Sequence, residues 1–513
     1  MKKITKNFDD LKIINFYVGY VIMATASLML IPILTSLIFK EWSALLDFII
    51  SMSVALSLGI FLMISGKSKL DKVKMQWKHG LIIASSSWLI LMLLCAIPYE
   101  LSGKTASFLD ACFDVMSGFT TTGLVLTQDL DHLSLGLNMW RHIITFVGGQ
   151  GMVVLALSFM VKHTLGAYKM YVGEGKDAEL VPNVKNTARI IWEISLVYLI
   201  IGTIMLWIDG MFIGLQPVSA FFHGLFIFMS AWSTGGFAPM SQNILYYHSL
   251  SYELLTMILF VLGSLNFALH YAVWQGNKKE IFKNIETQSF FITALIISFF
   301  TALKLTNSGV YSNGISVFRK GIYNVLSAHT TTGFGNLYAR QFATEWGDFP
   351  VVMLIIAMLI GGSACSTAGG FKGLRVGLVF KSIGAEIHKL INSDRKIKVF
   401  KFHHIKEIIL DDGMVKSAYL IIICYIMLFF IGTALGTYYG YPLLSSAFEA
   451  ASVTGNVGLS IGVTSPTMPA VMKIYYIIAM YLGRLEFISV FALIGVTFGG
   501  IKILWLRLLK QQY

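Results

Sequence analysis

Long apolar runs dominate the chain and predict ten membrane-spanning helices. Windows of about 20 apolar residues, the length that an α-helix needs to cross a bilayer, recur along the whole sequence. The predicted spans are residues 14–38, 43–65, 80–100, 138–162, 188–209, 251–274, 288–305, 350–380, 414–439 and 469–496. Four further apolar segments of about a dozen residues are too short to cross and are typical of re-entrant helices. The pattern predicts an all-α polytopic membrane protein.

A short polar phrase follows each re-entrant segment, so that it occurs four times along the chain. The copies are residues 117–124 (SGFTTTGL), 230–237 (SAWSTGGF), 327–334 (SAHTTTGF) and 452–459 (SVTGNVGL). An aromatic residue stands ten positions before the Gly of each copy: Phe113, Phe226, Tyr323 and Phe448. The position nine before the Gly is polar in three copies, as Asp114, Asn324 and Glu449, and Ile227 is the exception. This agreement indicates a fourfold internal repeat of one membrane unit.

The chemistry of the phrase favours a cation pathway. Glycine tolerates backbone angles that other residues avoid, so four such turns can aim carbonyl oxygens at one axis. Rings of backbone carbonyls replace the hydration shell of the ion in potassium channels, and the negative C-terminal ends of the short helices also favour a cation. The plain alternative, in which each Thr-Gly cluster only ends a buried helix, is disfavoured by four copies in register.

The second span of the third repeat is interrupted by a glycine-rich stretch at residues 361–370 (GGSACSTAGG). Four glycines and several small polar residues make a poor continuous helix. A helix broken at membrane depth is tolerated where it lines a cavity, so this stretch is predicted to lie below the four turns and to obstruct the pathway. The alternative is a plain kink. A phosphate-binding loop is excluded because no Gly-Lys-Ser/Thr closes the stretch.

Charged residues inside predicted spans are a second functional signal. Arg484 and Glu486 lie in the middle of the last span. Because residues two apart point to different faces of a helix, Arg484 is expected to face the pore or the interrupted stretch. It would act there either as an electrostatic barrier or as a brace that donates to loop carbonyls. Arg141, at a span end, is expected to be an interfacial anchor.

Composition and charge agree with a membrane protein and argue against nucleic acid as a partner. Charged residues make up only 13% of the 513 residues, against about 25% in soluble proteins. About 30 of the 39 Lys and Arg lie at the two termini and in alternate loops, near residues 66–79, 162–190, 275–288 and 372–416. This bias predicts a multi-pass protein of the cytoplasmic membrane with both termini cytoplasmic. The four cysteines are predicted to be buried thiols.

The motifs together resemble the Trk/Ktr/HKT superfamily of potassium transporters, and in particular the bacterial Trk-type membrane subunit. The resemblance rests on the four phrase copies, residues 148–151 (GGQG), residues 361–370 and residues 483–486 (GRLE). It extends over nearly the whole chain. The additional N-terminal hairpin is similar to the Trk branch, since the Ktr branch typically lacks it.

The resemblance implies a single pore per chain, built from four helix–pore loop–helix units. Its selectivity filter would comprise Thr121, Thr122, Gly123, Leu124, Thr234, Gly235, Gly236, Phe237, Thr331, Thr332, Gly333, Phe334, Asn456, Val457, Gly458 and Leu459. K⁺ would bind at Gly123, Gly236, Gly333 and Gly458, and Gly at the first of these positions favours potassium over sodium. The gating loop would comprise Gly361, Gly362, Ser363, Ser366, Thr367, Gly369 and Gly370. Arg484 matches the pore-facing arginine of the family.

The resemblance also implies partners. The family assembles as homodimers in membrane lipid and is regulated by a separate cytoplasmic ring of nucleotide-binding subunits. No cofactor other than the transported K⁺ is expected in this chain. Two departures from the family pattern are Cys365, where many Trk-type loops carry Gly, and the fourth filter copy, which lacks the Thr run.

The predicted organisation has five parts: an N-terminal hairpin with a basic loop (1–79) and four pore repeats (80–170, 171–280, 281–390 and 391–513). The predicted function is potassium uptake through a gated, K⁺-selective pore. One alternative is a K⁺ symporter coupled to H⁺ or Na⁺, for which Glu486 is the best proton-relay candidate. Another is a membrane-embedded enzyme or scaffold, but no catalytic constellation is present and an enzyme is not expected.

Overall fold

The computed structural model describes residues 2–67, 76–159, 184–391 and 399–498. This part of the chain is mostly helical, and its only sheet has two short strands. Within these described ranges, six helices are long and apolar enough to cross a membrane without interruption: Asp10–Ile38, Trp42–Lys67, Trp77–Leu101, Asn186–Phe212, Ile285–Asn307 and Asp412–Tyr438. They correspond to six of the ten predicted spans.

The N-terminal hairpin packs against the first repeat. It consists of Lys2–Leu28, Leu30–Ile38 and Trp42–Lys67. In the turn between its two arms, the Glu41 carboxylate accepts hydrogen bonds from the N–H groups of Leu135 (2.7 Å) and Gly136 (3.0 Å). These two groups open helix Leu135–Gln150, and a carboxylate at a helix N-terminus is electrostatically favourable. The hairpin thereby anchors the second helix of the first repeat.

Each repeat contains a long first helix, a short helix and a second helix. The first helices are Trp77–Leu101, Val184–Phe212, Ile285–Asn307 and Asp412–Tyr438. Three short helices are Phe108–Phe119, Pro217–Trp232 and Leu443–Thr454. The third repeat instead uses Gly314–Ser316, a π-helical stretch Val317–Ile322, and Tyr323–His329. Pro217 opens its helix as predicted, and Pro442 lies just before its own.

The second helices differ from the prediction, because all four are broken. The pieces are Leu135–Gln150 with Met152–Phe159, Leu250–Gly263 with Phe267–Trp274, Asp348–Ile360 with Gly373–Ile391, and Ala470–Arg484 with Ile488–Phe498. The prediction placed a break in the third repeat, and the small residues 148–151 also allow close packing or a bend in the first. The breaks within 251–274 and 469–496 were not predicted. The bends in the second and fourth repeats are 98° and 115°.

The local causes of these breaks are visible in the backbone. In the first repeat, Gly151 adopts φ +108° and ends the helix. In the second, the Asn266 side chain caps a new helix by accepting from the N–H of Ala268 at 2.9 Å. In the fourth, Glu486 and Phe487 both adopt positive φ. Each interruption takes only a few residues, so hydropathy does not register it.

An antiparallel hairpin, Lys401–His404 with Lys406–Ile409, follows the third repeat and was not predicted. Its tip lies against buried Glu280, whose carboxylate accepts from the N–H of Ile405 at 3.1 Å. His403 Nε2 lies 3.0 Å from the same carboxylate. Glu280 therefore links the tip of the hairpin to the start of the third repeat, where buried Phe402 also packs against Ile285 and Leu378.

This attachment should depend on pH. The hydrogen bond from His403 to Glu280 raises the pKa of the imidazole above its ordinary value, and Glu407 adds to the effect. The protonated form binds best, so the stabilisation is complete below about pH 6.5 and is lost as the pH rises through the raised pKa. We expect the Ile405 amide to lose protection from hydrogen exchange, corrected for intrinsic rate, between about pH 6 and pH 8.5.

A His403→Gln variant provides the control, because its side chain can still donate a hydrogen bond but does not titrate. Its corrected protection should be the same at both pH values. Equal protection of the native hairpin at both pH values would contradict the assignment.

Candidate functional site: the centre of the four repeats

The four predicted filter segments (residues 121–124, 234–237, 331–334 and 456–459) meet as a closed ring. The structure shows this at the Gly that the four segments share, where a side chain would meet the backbone of the next segment. A Cβ atom added to Gly123 would collide with the carbonyl oxygen of Gly235, one added to Gly236 with that of Thr332, one added to Gly333 with that of Val457, and one added to Gly458 with that of Thr122. Each segment therefore contacts the next, and the fourth contacts the first.

The backbone of each segment repeats the same unusual conformation. Gly123, Gly236, Gly333 and Gly458 have φ between +70° and +94°, and the residues two positions earlier (Thr121, Thr234, Thr331 and Asn456) have φ between +50° and +56°. Positive φ is uncommon for residues other than Gly and persists where surrounding structure enforces it. Because all four segments share this pattern, they form one repeated backbone structure. The interpretation that each is merely the end of a buried helix is therefore excluded.

The serine that opens each phrase fixes this geometry. Its carbonyl oxygen accepts from the N–H five residues later: Ser117 from Thr122, Ser230 from Gly235, Ser327 from Thr332 and Ser452 from Val457, at 2.8–2.9 Å. The same four later residues carry the carbonyl oxygens that face the neighbouring glycines. Their N–H groups are thus held by the short helices, and their carbonyl groups form one layer between the repeats.

The surroundings of the ring suit a cation. The short helices end at Phe119, Trp232, His329 and Thr454, immediately before the filter segments, so their negative ends converge there. A cavity of approximately 230 Å³ opens on the glycine side of the ring and is lined by Gly123, Gly236 and Gly458. In the described residues no group of three or more His, Cys, Asp or Glu could hold a metal ion. The oxygen atoms at the ring are those of backbone carbonyl groups and threonine hydroxyl groups.

The predicted gating loop, residues 361–370, lies against the threonine side of the ring and is buried throughout. Thr121 Oγ1 donates to the carbonyl oxygen of Thr367 at 3.4 Å, and Thr234 Oγ1 lies 3.1 Å from Thr367 Oγ1. Thr331 Oγ1 accepts from the N–H of Gly369 at 2.8 Å. One threonine from each of three repeats therefore holds the loop, and each is the residue with positive φ.

The fourth repeat meets the loop differently. A Cβ on Gly369 would lie 3.0 Å from the Cβ of Asn456, so the segment is adjacent, but the Asn456 side chain turns away. Its Nδ2 donates to Thr122 Oγ1 (3.0 Å) and to the carbonyl oxygen of Met480 (2.9 Å). This bridge to the first repeat gives the departure of the fourth copy a structural role.

Residues 363–365 of the loop form hydrogen bonds with the helix break in the second repeat. The N–H of Ser363 donates to the carbonyl oxygen of Ser264 (3.0 Å), and the N–H of Phe267 donates to that of Cys365 (3.3 Å). Buried Glu286 accepts from the N–H of Ala364 at 2.7 Å. Cys365 adopts φ +50°, a conformation that Gly would adopt without strain.

Arg484 connects the loop to the first repeat. Its guanidinium donates to the carbonyl oxygens of Thr367, Gly148 (2.8 Å) and Gly149 (2.9 Å). Glu486 instead pairs with Lys372, at 2.6 Å, and with Arg375. The structure therefore brings together three of the motifs that carry the resemblance, and the contacts of Arg484 are those of a brace.

Two features of the centre were missed in the sequence. Arg141 is completely buried, so the expectation of an interfacial anchor is wrong. Its Nη1 donates to Asn138 Oδ1 at 3.1 Å, and the guanidinium lies 4.8 Å from the ring centre of Phe237. Asn138 lies one helical turn before Arg141, and this polar neighbour was the signal in the sequence that Arg141 could be buried. The salt bridges of Glu486 with Lys372 and Arg375 were also missed, although opposite charges inside two predicted spans were an available signal.

Comparison with known proteins identifies the architecture. The model of the TrkH family, described as cation transport protein, matches residues 48–497. An uncharacterized cation transporter of Methanocaldococcus jannaschii is 27% identical over 505 residues, covering 98% of each chain. The Trk system potassium uptake protein TrkG of Escherichia coli is 28% identical over 502 residues, covering 95% of this chain and 98% of its own.

The solved potassium transporter TrkH from Vibrio parahaemolyticus superposes with a TM-score of 0.81 at 23% identity, over 94% of this chain and 98% of that one. This shared fold confirms the predicted all-α polytopic class. The chain therefore belongs to the TrkH family of cation transport proteins, as the Trk resemblance predicted, and is a transporter and not an enzyme.

Proposed function

We propose that this protein takes up potassium across the cytoplasmic membrane through a pore that runs along the axis of the four filter segments. The observation that carries the proposal is the closed ring of four carbonyl-bearing segments, each in the same left-handed geometry. Such a ring can replace the hydration shell of a K⁺ ion, which binds at the level of Gly123, Gly236, Gly333 and Gly458. Relatives named potassium uptake proteins support this substrate.

The driving force needs no further chemistry. A membrane potential, negative inside, contributes about 2.3 kcal/mol per charge per 100 mV, which is roughly a fortyfold concentration ratio. With both termini cytoplasmic, as the distribution of basic residues favours, the glycine-side cavity faces outward and the loop faces inward. Coupled symport is less well supported, because each carboxylate oxygen of Glu486, the proton-relay candidate, is already engaged by Lys372 or Arg375.

We also propose that residues 361–370 form the gate. The buried loop lies across the inner end of the ring, where it contacts all four filter segments. Its links to the filter are side-chain hydroxyl contacts, which can be exchanged for water when the loop withdraws. A homodimer in membrane lipid, with a separate cytoplasmic nucleotide-binding ring that moves the loop, is the assembly that the family resemblance implies.

The filter assignment can be tested at Gly123. A side chain at φ +89° is strained, and its Cβ would collide with the carbonyl oxygen of Gly235. We expect Gly123→Ser to lower the preference for Rb⁺ over Na⁺ by about tenfold or more, the equivalent of about 1.4 kcal/mol. The measurement is cation uptake and growth at low K⁺ in a bacterium that lacks its own potassium uptake systems.

Gly103→Ser is the matched control, because Gly103 also has positive φ (+65°) but open space around it. It should retain the native preference. Equal cation preference in the two variants would contradict the filter assignment. If the native chain gives no rescue, co-expression with candidate nucleotide-binding subunits separates a missing partner from a wrong substrate.

The gate can be tested at Thr331. Thr331→Val keeps the shape of the side chain but removes the oxygen that accepts from the N–H of Gly369. Because one such hydrogen bond is worth about 1 kcal/mol, we expect K⁺ flux per folded molecule to rise about fivefold. Thr437→Val, which removes a hydroxyl bonded only within helix Asp412–Tyr438, should leave the flux unchanged. An unchanged or reduced flux in Thr331→Val would count against a gate.

Arg484→Ala separates the brace from the barrier. Its loss leaves the buried carbonyl groups of Thr367, Gly148 and Gly149 without this donor. An unsatisfied buried group costs about 1–3 kcal/mol, so we expect a clearly lower unfolding temperature in detergent and less folded protein in the membrane. Exposed Arg340→Ala is the control and should be close to native. Native stability with increased conductance would establish the barrier and refute the brace.

A further inference from the structure

The polar position nine residues before each filter Gly has a role that the pore itself does not explain. Asp114, Asn324 and Glu449 lie in the short helices and are completely buried. Each side chain contacts the irregular segment that follows the filter of its own repeat. The side chain at this position therefore connects the short helix to the residues that follow the filter segment.

Glu449 makes the most extensive of these connections. Its Oε1 accepts from the N–H groups of Ile461 (3.0 Å) and Val463 (3.2 Å), and its Oε2 accepts from Thr464 Oγ1 (2.7 Å). The Ser460 hydroxyl also donates to the carboxylate. The residues that Glu449 binds begin two positions after Gly458. One buried carboxyl group therefore holds the chain where it leaves the fourth filter segment.

Asp114 does the same in the first repeat. Its Oδ1 accepts from the N–H of Leu126 at 2.6 Å, and its Oδ2 accepts from the N–H (3.1 Å) and the hydroxyl (2.6 Å) of Thr127. In the third repeat the connection is neutral. Asn324 Nδ2 donates to Asn336 Oδ1 at 2.8 Å, and Asn336 Nδ2 donates back to the carbonyl oxygen of Arg319 at 2.7 Å.

The second repeat has Ile227 at this position, and its filter end is held instead by Arg141 of the first repeat and by Asn243 of the second. Arg141, from the second helix of the first repeat, donates to the carbonyl oxygen of Ala238 at 3.4 Å and covers Phe237. Asn243 Nδ2 donates to the carbonyl oxygen of Gly236 at 3.0 Å. A cation and an amide thus replace the missing polar side chain.

We propose that these four clamps (Asp114, Asn324 with Asn336, Glu449, and Arg141 with Asn243) are positioning residues that set cation selectivity by fixing the outer ends of the filter strands. The inference rests on the proposed function. Two clamps are carboxyl side chains that accept from N–H and O–H donors, and one is an amide pair. The fourth combines Arg141 of the first repeat with Asn243 of the second, so the four filter segments are held differently. Irregular backbone at membrane depth requires internal partners, and without its acceptor a strand relaxes and moves its carbonyl oxygens.

The physical basis is the difference between charged and neutral acceptors. A carboxylate that accepts several N–H and O–H donors forms short, strong hydrogen bonds, whereas the corresponding amide loses the charge and turns an NH₂ group toward donors. The first residue that each of the three clamps on the short helices holds (Leu126, Asn336 or Ser460) lies two or three positions after the filter Gly of its repeat. Displacement at the clamp therefore reaches the carbonyl layer directly.

The test compares Glu449→Gln and Asp114→Asn with the native chain in Rb⁺ and Na⁺ uptake. We expect the preference for Rb⁺ over Na⁺ to fall about tenfold in each, corresponding to the loss of one charge-assisted hydrogen bond. The loss should appear mainly as a higher KM for Rb⁺, with the maximal rate per folded molecule within about twofold of native. A purely structural role would lower the maximal rates for both ions together and leave their ratio unchanged, and that result would overturn the proposal.

Milder variants keep the test valid if a carboxamide variant does not reach the membrane. Thr464→Val and Thr127→Val each remove one hydroxyl donor to a clamp and should shift the ratio in the same direction, whereas Thr464→Ser should restore it. Thr467→Val is the matched control, because that hydroxyl pairs with Ser465 in the same loop and has no contact with Glu449.

The result also separates this inference from the proposed function. A native chain that takes up no potassium, even with its regulatory partner, would refute the function. A native chain that is selective, with native ratios in all the clamp variants, would refute the clamps alone.

Discussion

Non-helical backbone inside a membrane must have its polar groups paired within the protein, and this requirement organises the centre of the molecule. Four filter segments and four helix breaks, one of which contains the loop at residues 361–370, all expose N–H and C=O groups at that depth. The short helices supply acceptors through carbonyls such as that of Ser117, which binds the N–H of Thr122. The break in the second repeat supplies the Ser264 carbonyl to Ser363, and Arg484 supplies donors to Thr367. These irregular segments therefore form one hydrogen-bonded unit.

The four repeats contribute unequal parts to that unit. The break of the first repeat offers the Gly148 and Gly149 carbonyls, that of the second accepts the outer loop, that of the third is the loop itself, and that of the fourth provides Arg484. The ring of filter segments is thus nearly fourfold symmetric, whereas the four helix breaks beneath it are not. Asn456 shows how the ring adapts, because it bridges to Thr122 where the other repeats present a threonine to the loop.

Sequence reasoning reached the features that leave a local signature. The four phrases, the loop at residues 361–370 and the proline at the start of Pro217–Trp232 follow from residue types at fixed spacings. The breaks in the second and fourth repeats did not, because three residues such as Ser264 to Asn266 barely change the hydropathy of a long apolar run. The burial of Arg141 and the clamps depend on which loops return to which helices, and that information exists only in the folded chain. The hairpin Lys401–His404 with Lys406–Ile409 was missed because its strands are short and polar.

The division between backbone and side-chain contacts has a consequence for gating. Within each repeat the filter is held by backbone hydrogen bonds to the opening serine, whereas Thr121, Thr234 and Thr331 reach the loop through their hydroxyls. Withdrawal of the loop therefore removes the hydroxyl contacts and leaves the serine contacts intact. Water can replace a hydroxyl partner at small net cost, since such hydrogen bonds contribute only about 0.5–1.5 kcal/mol. The proposed gate can thus open without dismantling the proposed filter, and selectivity need not change between the closed and the conducting states.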